Sequence, residues 1–342
     1  MTGSVVVVGG GTAGMEAAGQ LAKAGLSVTL IEKEKELGGH LKEWYHLFPD
    51  RRNSVEVLDY LKKQIIHDKI KLLTGNSVGS FQKKGSDFTL NTSNGEVIKA
   101  DAILLTTGFD LFKSERKEEY GYGIYDNVIT SADLEIMFRE KKLKLKNGKK
   151  PEKIGIVHCV GSRDEKAGNL YCSKLCCVTA VKQAIELKEN LSECKVFCFY
   201  MDMRMGGALY EELYRESQEK YGISYIRGKV SEVGVNISNK LIVKVEDTLA
   251  GRPLKMELDL LVLMAGMEMS EGGTRIAEAA KLNRGENRFF APADHHIGSN
   301  RSNVKGLFYA GTCTAPMNIT ETISHARGAV TDIIDYLKNG RK

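Results

Sequence analysis

The sequence lacks the features that mark membrane-spanning, secreted and nucleic-acid-binding proteins. No apolar run approaches the roughly eighteen residues of a membrane span. The start, MTGSVVVVGGG, has neither the basic segment nor the long apolar segment of a signal peptide. The formal net charge is only +5, and much of it comes from one lysine-rich segment. We therefore expect a protein that stays in the cytoplasm, does not span a membrane and does not bind nucleic acid.

Proline is also scarce, with five prolines against 35 glycines, a ratio that suits turn-rich α/β folds. The hydrophobic fraction of 42% and the charged fraction of 27% are those of an ordinary globular protein. At 342 residues, the chain is long enough for two domains, each with its own core.

The first thirty or so residues predict a complete βαβ unit that binds a dinucleotide. An apolar strand, Val5 to Val8, leads into Gly9-x-Gly11-x-x-Gly14, which opens a helix, and a second strand ends on Glu32. The first glycine makes the turn, the second lets the backbone approach a pyrophosphate, and the third permits close helix packing. Glu32 would accept hydrogen bonds from the adenosine ribose. The expected contacts in this segment are Gly9, Gly11, Thr12, Ala13, Gly14, Glu32 and Lys33.

Three later segments resemble the flavoproteins that have two dinucleotide-binding domains, so the expected dinucleotide is FAD. The segment KEKELGGHL supplies a glycine pair that runs along the FAD in those proteins, and AILLTTG ends in a similar turn. GLFYAGTCTAPMNITET resembles the terminal FAD motif, with Thr312 in place of the usual aspartate, and the following helix would direct its N-terminal amides at the flavin. The expected contacts are Gly38, Gly39, His40, Thr107, Gly108, Gly311, Thr312, Asn318, Ile319 and Thr320.

Four of the seven cysteines, Cys159, Cys172, Cys176 and Cys177, follow the spacing C-x12-C-x3-C-C. Four thiolates match the ligand count of an iron-sulfur cluster or a structural zinc. The pattern predicts a strand that ends near Cys159 and a helix with Cys172 and Cys176 one turn apart. The alternatives are buried structural cysteines, or a strained vicinal disulfide between Cys176 and Cys177.

Other segments are expected to have structural roles. Cys194 and Cys198 lie in the strand-like run CKVFCFYM and are expected in the core. The aromatic patch around Trp44 is expected to cover a core rather than line a flavin pocket. The lysine-rich run 139–153 predicts a solvated linker, with docking of an acidic electron-transfer partner as the alternative. Cys313 is interpreted as a packing or flavin-adjacent thiol, and no residue is assigned as catalytic.

From Ile154 a second Rossmann-like domain is expected, but CVGSRD stands where GxGxxG would bind a nicotinamide dinucleotide. We expect the cysteine cluster to occupy that place. The predicted fold is α/β, with two Rossmann-like three-layer domains. The FAD-binding domain would comprise residues 1–150 and 269–342, and the cysteine-bearing domain residues 151–268.

With CVGSRD, YCSKLCC and AGTCTAPMNITET in view, the chain resembles the A subunit of heterodisulfide reductase over nearly its whole length. The resemblance implies FAD and a [4Fe-4S] cluster held by the four cysteines, in a thioredoxin-reductase-like body. The chain is similar to the short form of this subunit, which is found in heterodisulfide-reductase-like complexes of sulfur oxidation. Such a subunit moves electrons between a thiol/disulfide or sulfur-oxidation partner and a further acceptor. Other subunits of the complex are the implied partners, with a homodimer as a further option.

Two other function classes remain open. An NAD(P)H-dependent disulfide oxidoreductase would need a C-x2-C or C-x4-C pair beside the flavin and an intact second GxGxxG. The second GxGxxG is absent, and the one C-x4-C spacing, Cys172 to Cys177, lies within the four-cysteine motif rather than beside the FAD motifs. A zinc-stapled flavoprotein scaffold without catalysis would hold the four cysteines on zinc and show no iron-sulfur absorption.

Overall fold

The computed structural model describes residues 3–340 and divides the chain into two units. The first unit comprises the described residues up to 42, residues 54–110 and those from 268 onward. The second comprises residues 43–53 and 111–267. The sequence placed the boundaries near 150 and 268. Residues 111–150 lie with the second unit because one of their strands, Val128–Thr130, pairs in its central sheet.

Seven α-helices occur among residues 3–340, and none is long and apolar enough to cross a membrane. They are α1 (Thr12–Lys23), α2 (Ser54–Gln64), α3 (Ser131–Arg139), α4 (Cys176–Asn190), α5 (Tyr210–Glu219), α6 (Glu271–Ala279) and α7 (Ile319–Asp335).

The same residues form twenty strands, most of them short. They are β1 (Ser4–Val8), β2 (Ser27–Ile31), β3 (His46–Leu47), β4 (Arg52–Asn53), β5 (Ile70–Leu73), β6 (Val78–Lys84), β7 (Asp87–Thr92), β8 (Val97–Ala100), β9 (Ala102–Leu105), β10 (Phe109–Leu111), β11 (Val128–Thr130), β12 (Lys153–Val160), β13 (Lys195–Tyr200), β14 (Ser224–Arg227), β15 (Val230–Val235), β16 (Leu241–Asp247), β17 (Arg252–Leu258), β18 (Leu260–Ala265), β19 (Met267–Met269) and β20 (Leu307–Tyr309).

The first unit is built on a parallel sheet of order β20-β9-β1-β2-β5. Its central strands β1 and β9 are apolar and almost wholly buried, as expected for parallel strands that are covered on both faces. Helix α1 packs against α2 and α7, and most of its small residues, together with Met15 and Leu21, are buried. A three-stranded antiparallel sheet, β6-β7-β8, completes this unit.

The second unit repeats the plan with a parallel sheet of order β11-β18-β12-β13-β14 and an antiparallel sheet, β15-β16-β17. Cys194 is 3% exposed and Cys198 is 0% exposed, so the prediction that both lie in the core is confirmed. Tyr45 and Phe48 pack against the same core, which supports the interpretation of the aromatic patch as cover. The lysine-rich run is largely exposed, and it lies within the second unit.

An ionic network is buried beneath helix α4 in this second unit. Lys182 has a side chain only 2% exposed, and its Nζ lies 2.5 Å from Glu135 Oε1 and 3.2 Å from Glu186 Oε2. The same Nζ donates to the backbone oxygen of His46 at 3.0 Å, and His46 Nδ1 lies 3.0 Å from Glu186 Oε1. The network ties the 43–53 segment to α3 and α4.

Candidate functional site

The predicted dinucleotide residues of the first unit meet at one edge of its sheet. Strands β1, β2, β9 and β20 are parallel, so the loops that follow them lie at the same carboxyl edge. These loops carry the glycine turn after Val8, Glu32 after β2, Thr107 and Gly108 after β9, and Gly311 after β20. The sheet topology therefore brings together segments that are up to three hundred residues apart in the sequence.

The glycine turn has the shape of a phosphate cradle. Gly9 has a φ of +112°, and a Cβ there would lie 2.3 Å from the backbone oxygen of Thr106. A Cβ on Gly14 would lie 1.8 Å from the Gly9 oxygen, whereas a Cβ on Gly11 would meet no atom within 4 Å. Gly9 and Gly14 are therefore required by the close approach of backbone segments, whereas Gly11 borders open space at the start of α1. A helix N-terminus of this kind suits a pyrophosphate.

Glu32 lies across this turn, 7% exposed. Its Oε2 accepts from the Gly10 amide at 2.6 Å, and its Oε1 accepts from the Glu34 amide at 2.9 Å. Each carboxylate oxygen has a second lone pair, so the group can still accept ribose hydroxyls. Lys33 is exposed and lies 3.9 Å from Glu34, so its side chain is directed to solvent.

The Gly38-Gly39 loop packs against the glycine turn, as its predicted cofactor role requires. The Gly38 amide donates to the Gly10 oxygen at 2.9 Å, and a Cβ on Gly39 would lie 3.4 Å from Gly11 Cα. His40 follows, with Nε2 2.9 Å from the Phe109 oxygen and its ring stacked on Phe109 at 4.4 Å. The loop is thereby fixed along one side of the cradle.

The turn after β9 provides a polar atom that lacks a partner. Thr107 Oγ1 is buried and makes no hydrogen bond within residues 3–340, a state that costs free energy unless a ligand satisfies it. Gly108, with a φ of +67°, brings this turn beside Thr312, since a Cβ there would lie 3.9 Å from Thr312 Oγ1. The Thr107 hydroxyl lies beside the start of α6, since a Cβ on Gly273 would be 2.8 Å from Thr107 Oγ1, and Thr312 Oγ1 lies beside Gly108.

The terminal segment also has the expected elements. The Gly311 amide donates to His325 Nδ1 at 3.0 Å, and burial lowers the pKa of His325, which keeps the accepting ring neutral. Helix α7 begins at Ile319, with Thr320 next. Asn318 caps it: Asn318 Oδ1 accepts from the Glu321 amide at 2.8 Å, so this side chain serves the helix start. His325 was missed in the sequence because no motif marks it.

The candidate metal centre lies in the second unit, where β12 ends and α4 begins. Cys159 lies at the end of β12, whose register with β18 shifts between Val157 and Val160. Three residues that are not glycine, Cys159, Arg163 and Lys174, have φ values of 59°, 52° and 61°. Backbone strain of this kind concentrates at functional sites. In a Rossmann-like unit, this position is where a pyrophosphate would bind.

Three of the four predicted ligands converge there. Cys159 Sγ lies 3.6 Å from Cys176 Sγ, which lies 4.0 Å from Cys177 Sγ, and the three residues are 8%, 6% and 2% exposed. All seven cysteines are free, so there is no vicinal disulfide. Among residues 3–340, no three His, Cys, Asp or Glu side chains are already arranged to hold a metal ion.

The prediction that Cys172 and Cys176 share a helix is wrong. Helix α4 begins at Cys176, and Cys172 lies in the preceding loop, half-buried, where its Sγ accepts from the Lys174 amide at 3.2 Å. The physical reason is the left-handed conformation of Lys174, which cannot continue a helix.

The buried thiols shift one another's protonation. The hydrogen bond with Cys176 lowers the pKa of Cys159, and the hydrogen bonds with Cys159 and Cys177 raise the pKa of Cys176. The hydrogen bond with Cys176, aided by His158, lowers the pKa of Cys177 to about 4. Thiolate is the form that binds metals, so the pKa shifts favour metal binding at Cys159 and Cys177, whereas Cys176 would have to lose its proton to a metal ion.

Three residues around these cysteines were not predicted from the sequence. His158 is 6% exposed, and neither ring nitrogen has a hydrogen-bond partner in the described part of the chain. Arg163 Nη2 lies 2.6 Å from Asp202 Oδ2, and the Asp202 backbone oxygen accepts from Cys177 Sγ at 3.6 Å. His158 and Arg163 flank the cysteine motif directly, so their positions alone were a usable signal. Asp202 gave none.

The cysteine loop is held by packing and by a buried ion pair. Gly161 has a φ of +74°, and a Cβ there would lie 2.1 Å from the Phe112 ring. Asp164 Oδ2 lies 2.8 Å from Lys117 Nζ, with both side chains at most 5% exposed. Because the ring covers the Gly161 backbone, this glycine has a packing role. That observation supports the expectation that no nucleotide phosphate binds there.

The chain has recognisable relatives among known proteins. Residues 3–157 match the family model described as pyridine nucleotide-disulphide oxidoreductase. The chain is similar to the A subunit of the H(2)/formate:CoB-CoM heterodisulfide,ferredoxin reductase of Methanococcus maripaludis, with 37% identity over 71% of this chain and 38% of that protein. It is also similar to the second of two iron-sulfur A subunits of the CoB--CoM heterodisulfide reductase of Methanopyrus kandleri, with 30% identity over 99% of this chain and 65% of that protein.

The chain thus spans less than two thirds of the length of these relatives. The second alignment runs over 427 positions, more than the 342 residues of this chain, so that relative contains inserted segments which this chain lacks.

Among solved structures, the thioredoxin reductase of T. acidophilum matches with a TM-score of 0.68 at 19% identity, over 99% of both chains. The thioredoxin reductase of Lactococcus lactis matches with a TM-score of 0.66 at 16% identity, over 98% of this chain and 99% of that chain. At these identities, the likeness shows the fold, and the predicted α/β architecture with two dinucleotide-binding domains is confirmed. The chain is therefore a homologue of the A subunits of heterodisulfide reductases, as its sequence motifs predicted.

Proposed function

We propose that the first unit binds FAD without a covalent bond. The observation that carries this proposal is the open space at Gly11, beside the start of α1 and opposite the Glu32 carboxylate. The unpartnered Thr107 hydroxyl supports it, since a bound flavin would offer that hydroxyl a polar partner. Bound FAD would supply an acceptor for two electrons that can release them singly. Denaturing release should yield free FAD, and recovery of FMN or a covalent flavin would contradict the proposal.

The residues proposed to contact the FAD are those that the sequence predicted. The glycine turn and the amides of α1 would hold the pyrophosphate, and Glu32 would hold the adenosine ribose. The Thr107 and Thr312 hydroxyls would replace the missing carboxylate in binding the ribityl chain. The N-terminus of α7 would stabilise negative charge on the reduced flavin.

We further propose that Cys159, Cys172, Cys176 and Cys177 hold one [4Fe-4S] cluster in the second unit. The gathering of three buried free cysteines and the half-buried Cys172 at the start of α4 carries this proposal. A cluster there would carry one electron at a time. Its location at the end of β12, where a Rossmann-like domain would otherwise bind a nucleotide, supports a relay in place of a hydride donor.

The proposed function is that of a flavin and iron-sulfur electron-transfer subunit in a complex resembling heterodisulfide reductase. It would pass electrons between a thiol/disulfide or sulfur-oxidation partner and a further acceptor, in the cytoplasm. The names of the relatives, which are subunits of heterodisulfide reductases, support other subunits as partners.

The deciding experiment is anaerobic purification followed by iron, sulfide, zinc and flavin assays on three proteins. The wild type should contain about four irons per chain, and Cys176→Ser should lose iron while retaining FAD. Cys198→Ser is the matched control, because Cys198 is also a buried free cysteine of this unit but is not one of the four proposed ligands. Full iron and sulfide in Cys176→Ser would contradict the cluster assignment.

Zinc is the second candidate for this site, because one observation favours it. Four sulfurs at about 2.3 Å from a tetrahedral zinc lie about 3.8 Å apart. The sulfur separations of 3.6 and 4.0 Å are close to that value. If wild-type protein made without oxygen contained stoichiometric zinc, the four cysteines would have a structural function instead of a redox function.

A further inference from the structure

Arg163 places a fixed positive charge at the edge of the cysteine centre. Its side chain is 22% exposed, and its Nη2 lies 2.6 Å from Asp202 Oδ2. Its other terminal nitrogen, Nη1, is buried and has no hydrogen-bond partner within residues 3–340. A guanidinium remains charged at every physiological pH, and a buried donor without an acceptor costs free energy. The Nη1 group is therefore available to an acceptor beside the cysteines, where the Arg163 guanidinium contributes, after the hydrogen bond with Cys176, to the lowered pKa of Cys159.

The surroundings of this guanidinium show which acceptor it faces. Besides its hydrogen bond with Asp202, Arg163 interacts electrostatically with the thiols of Cys159 and Cys172. Its backbone is fixed by a left-handed φ of 52° and by donation from its amide to the Tyr171 oxygen at 3.0 Å. The loop that holds two of the cysteines therefore also sets the direction of the arginine.

Two further arginines share the same carboxylate and provide an internal comparison. Arg204 and Arg227 lie 3.9 and 4.0 Å from Asp202, with side chains 52% and 50% exposed. Arg163 is the least exposed of the three and the closest to the carboxylate. Water screens the charges of the two exposed arginines far more than that of Arg163.

We propose that Arg163 is a positioning residue that donates from Nη1 to a sulfur of the metal centre and thereby raises its reduction potential. This inference rests on the proposed [4Fe-4S] cluster. Reduction adds one negative charge to such a cluster, and a nearby cation with little solvent around it stabilises the reduced form. Hydrogen bonds to cluster sulfurs act in the same direction. Asp202 binds the guanidinium at Nη2, and the buried Nη1 has no hydrogen-bond partner within residues 3–340.

The test is an anaerobic redox titration of the cluster, followed by electron paramagnetic resonance. It uses the whole chain as wild type, Arg163→Gln, Arg163→Lys and Arg227→Gln, with iron and sulfide measured for each. We expect Arg163→Gln to lower the equilibrium ratio of reduced to oxidised cluster at least tenfold, which is a shift of about 59 mV for one electron. Arg163→Lys should shift it less in the same direction, and Arg227→Gln should leave it within about twofold of the wild type, since that charge is screened.

The outcomes separate this inference from the proposed function. A wild type without iron and sulfide refutes both. If the wild type contains the cluster, and Arg163→Gln has full iron content and an unchanged reduction potential, only the inference about Arg163 is refuted. If Arg163→Gln loses its iron, Arg163→Lys decides: an unchanged potential in that variant overturns the role of Arg163. Equal shifts in Arg163→Gln and Arg227→Gln would also overturn it, because they would reflect a general surface charge effect.

Discussion

Substitution of Gly11 by alanine should weaken FAD binding without disturbing the fold. A Cβ at this position would meet no atom within 4 Å, and the φ of −79° is accessible to any residue. The apo-protein should therefore lose no more than about 1 kcal/mol, the difference between glycine and alanine at a helix N-cap. The new methyl group would stand where a pyrophosphate approaches the backbone. Steric overpacking of this kind costs about 1–3 kcal/mol, so the Kd for FAD should rise about 5-fold to 150-fold.

The assay is a titration of apo-protein with FAD, followed by quenching of flavin fluorescence, with thermal unfolding of each apo-protein by circular dichroism. Gly272→Ala is the matched control, because a Cβ there also meets no atom within 4 Å, but the residue lies in α6. It should bind FAD like the wild type. Gly14→Ala gives the opposite contrast: its Cβ would lie 1.8 Å from the Gly9 oxygen, so the fold itself should be destabilised.

Two results would refute this reasoning. An unchanged Kd in Gly11→Ala would show that the cofactor does not approach the chain at this turn. A large drop in the melting temperature of the Gly11→Ala apo-protein would show that the space beside Gly11 is needed by the fold rather than by a ligand.

Three further predictions concern stability. Lys182→Met should lower the free energy of unfolding, measured in urea, by about 3–5 kcal/mol, because two buried glutamates lose their cation. A loss below about 1 kcal/mol would show that the ionic network contributes little to stability. Gly161→Ala should also lower it, because the new methyl meets the Phe112 ring at a positive φ; unchanged urea unfolding would refute this. The pKa of His325 is lower in the folded protein than in the unfolded chain, so the unfolded chain takes up a proton at a higher pH. The free energy of unfolding should therefore fall as the pH drops below about 6.5. His325→Asn retains an acceptor for the Gly311 amide. In urea titrations, this variant should lose less free energy of unfolding between pH 7 and 5 than the wild type, and an unaltered pH profile would contradict the prediction.

The sequence by itself determined those features that arise from neighbouring residues. The glycine turn and Glu32 belong to one local βαβ unit, whose hydrophobic periodicity and glycine spacing specify both strands and the helix between them. The core positions of Cys194 and Cys198 followed from a strand-like apolar run. The start of α7 near Asn318 was predicted, and the structure shows that it depends on a local signal, a capping box between Asn318 and Glu321.

Only the tertiary structure decided what depends on packing between distant segments. The cysteine spacing predicted that Cys172 would share a helix with Cys176. The backbone at Lys174 is left-handed, however, so the helix begins only at Cys176. The pairing of Arg163 with Asp202 joins residues thirty-nine positions apart, and no local pattern encodes it. Local periodicity fixes which face of an element is apolar, whereas the meeting of two polar side chains requires the backbone of both segments to be placed first.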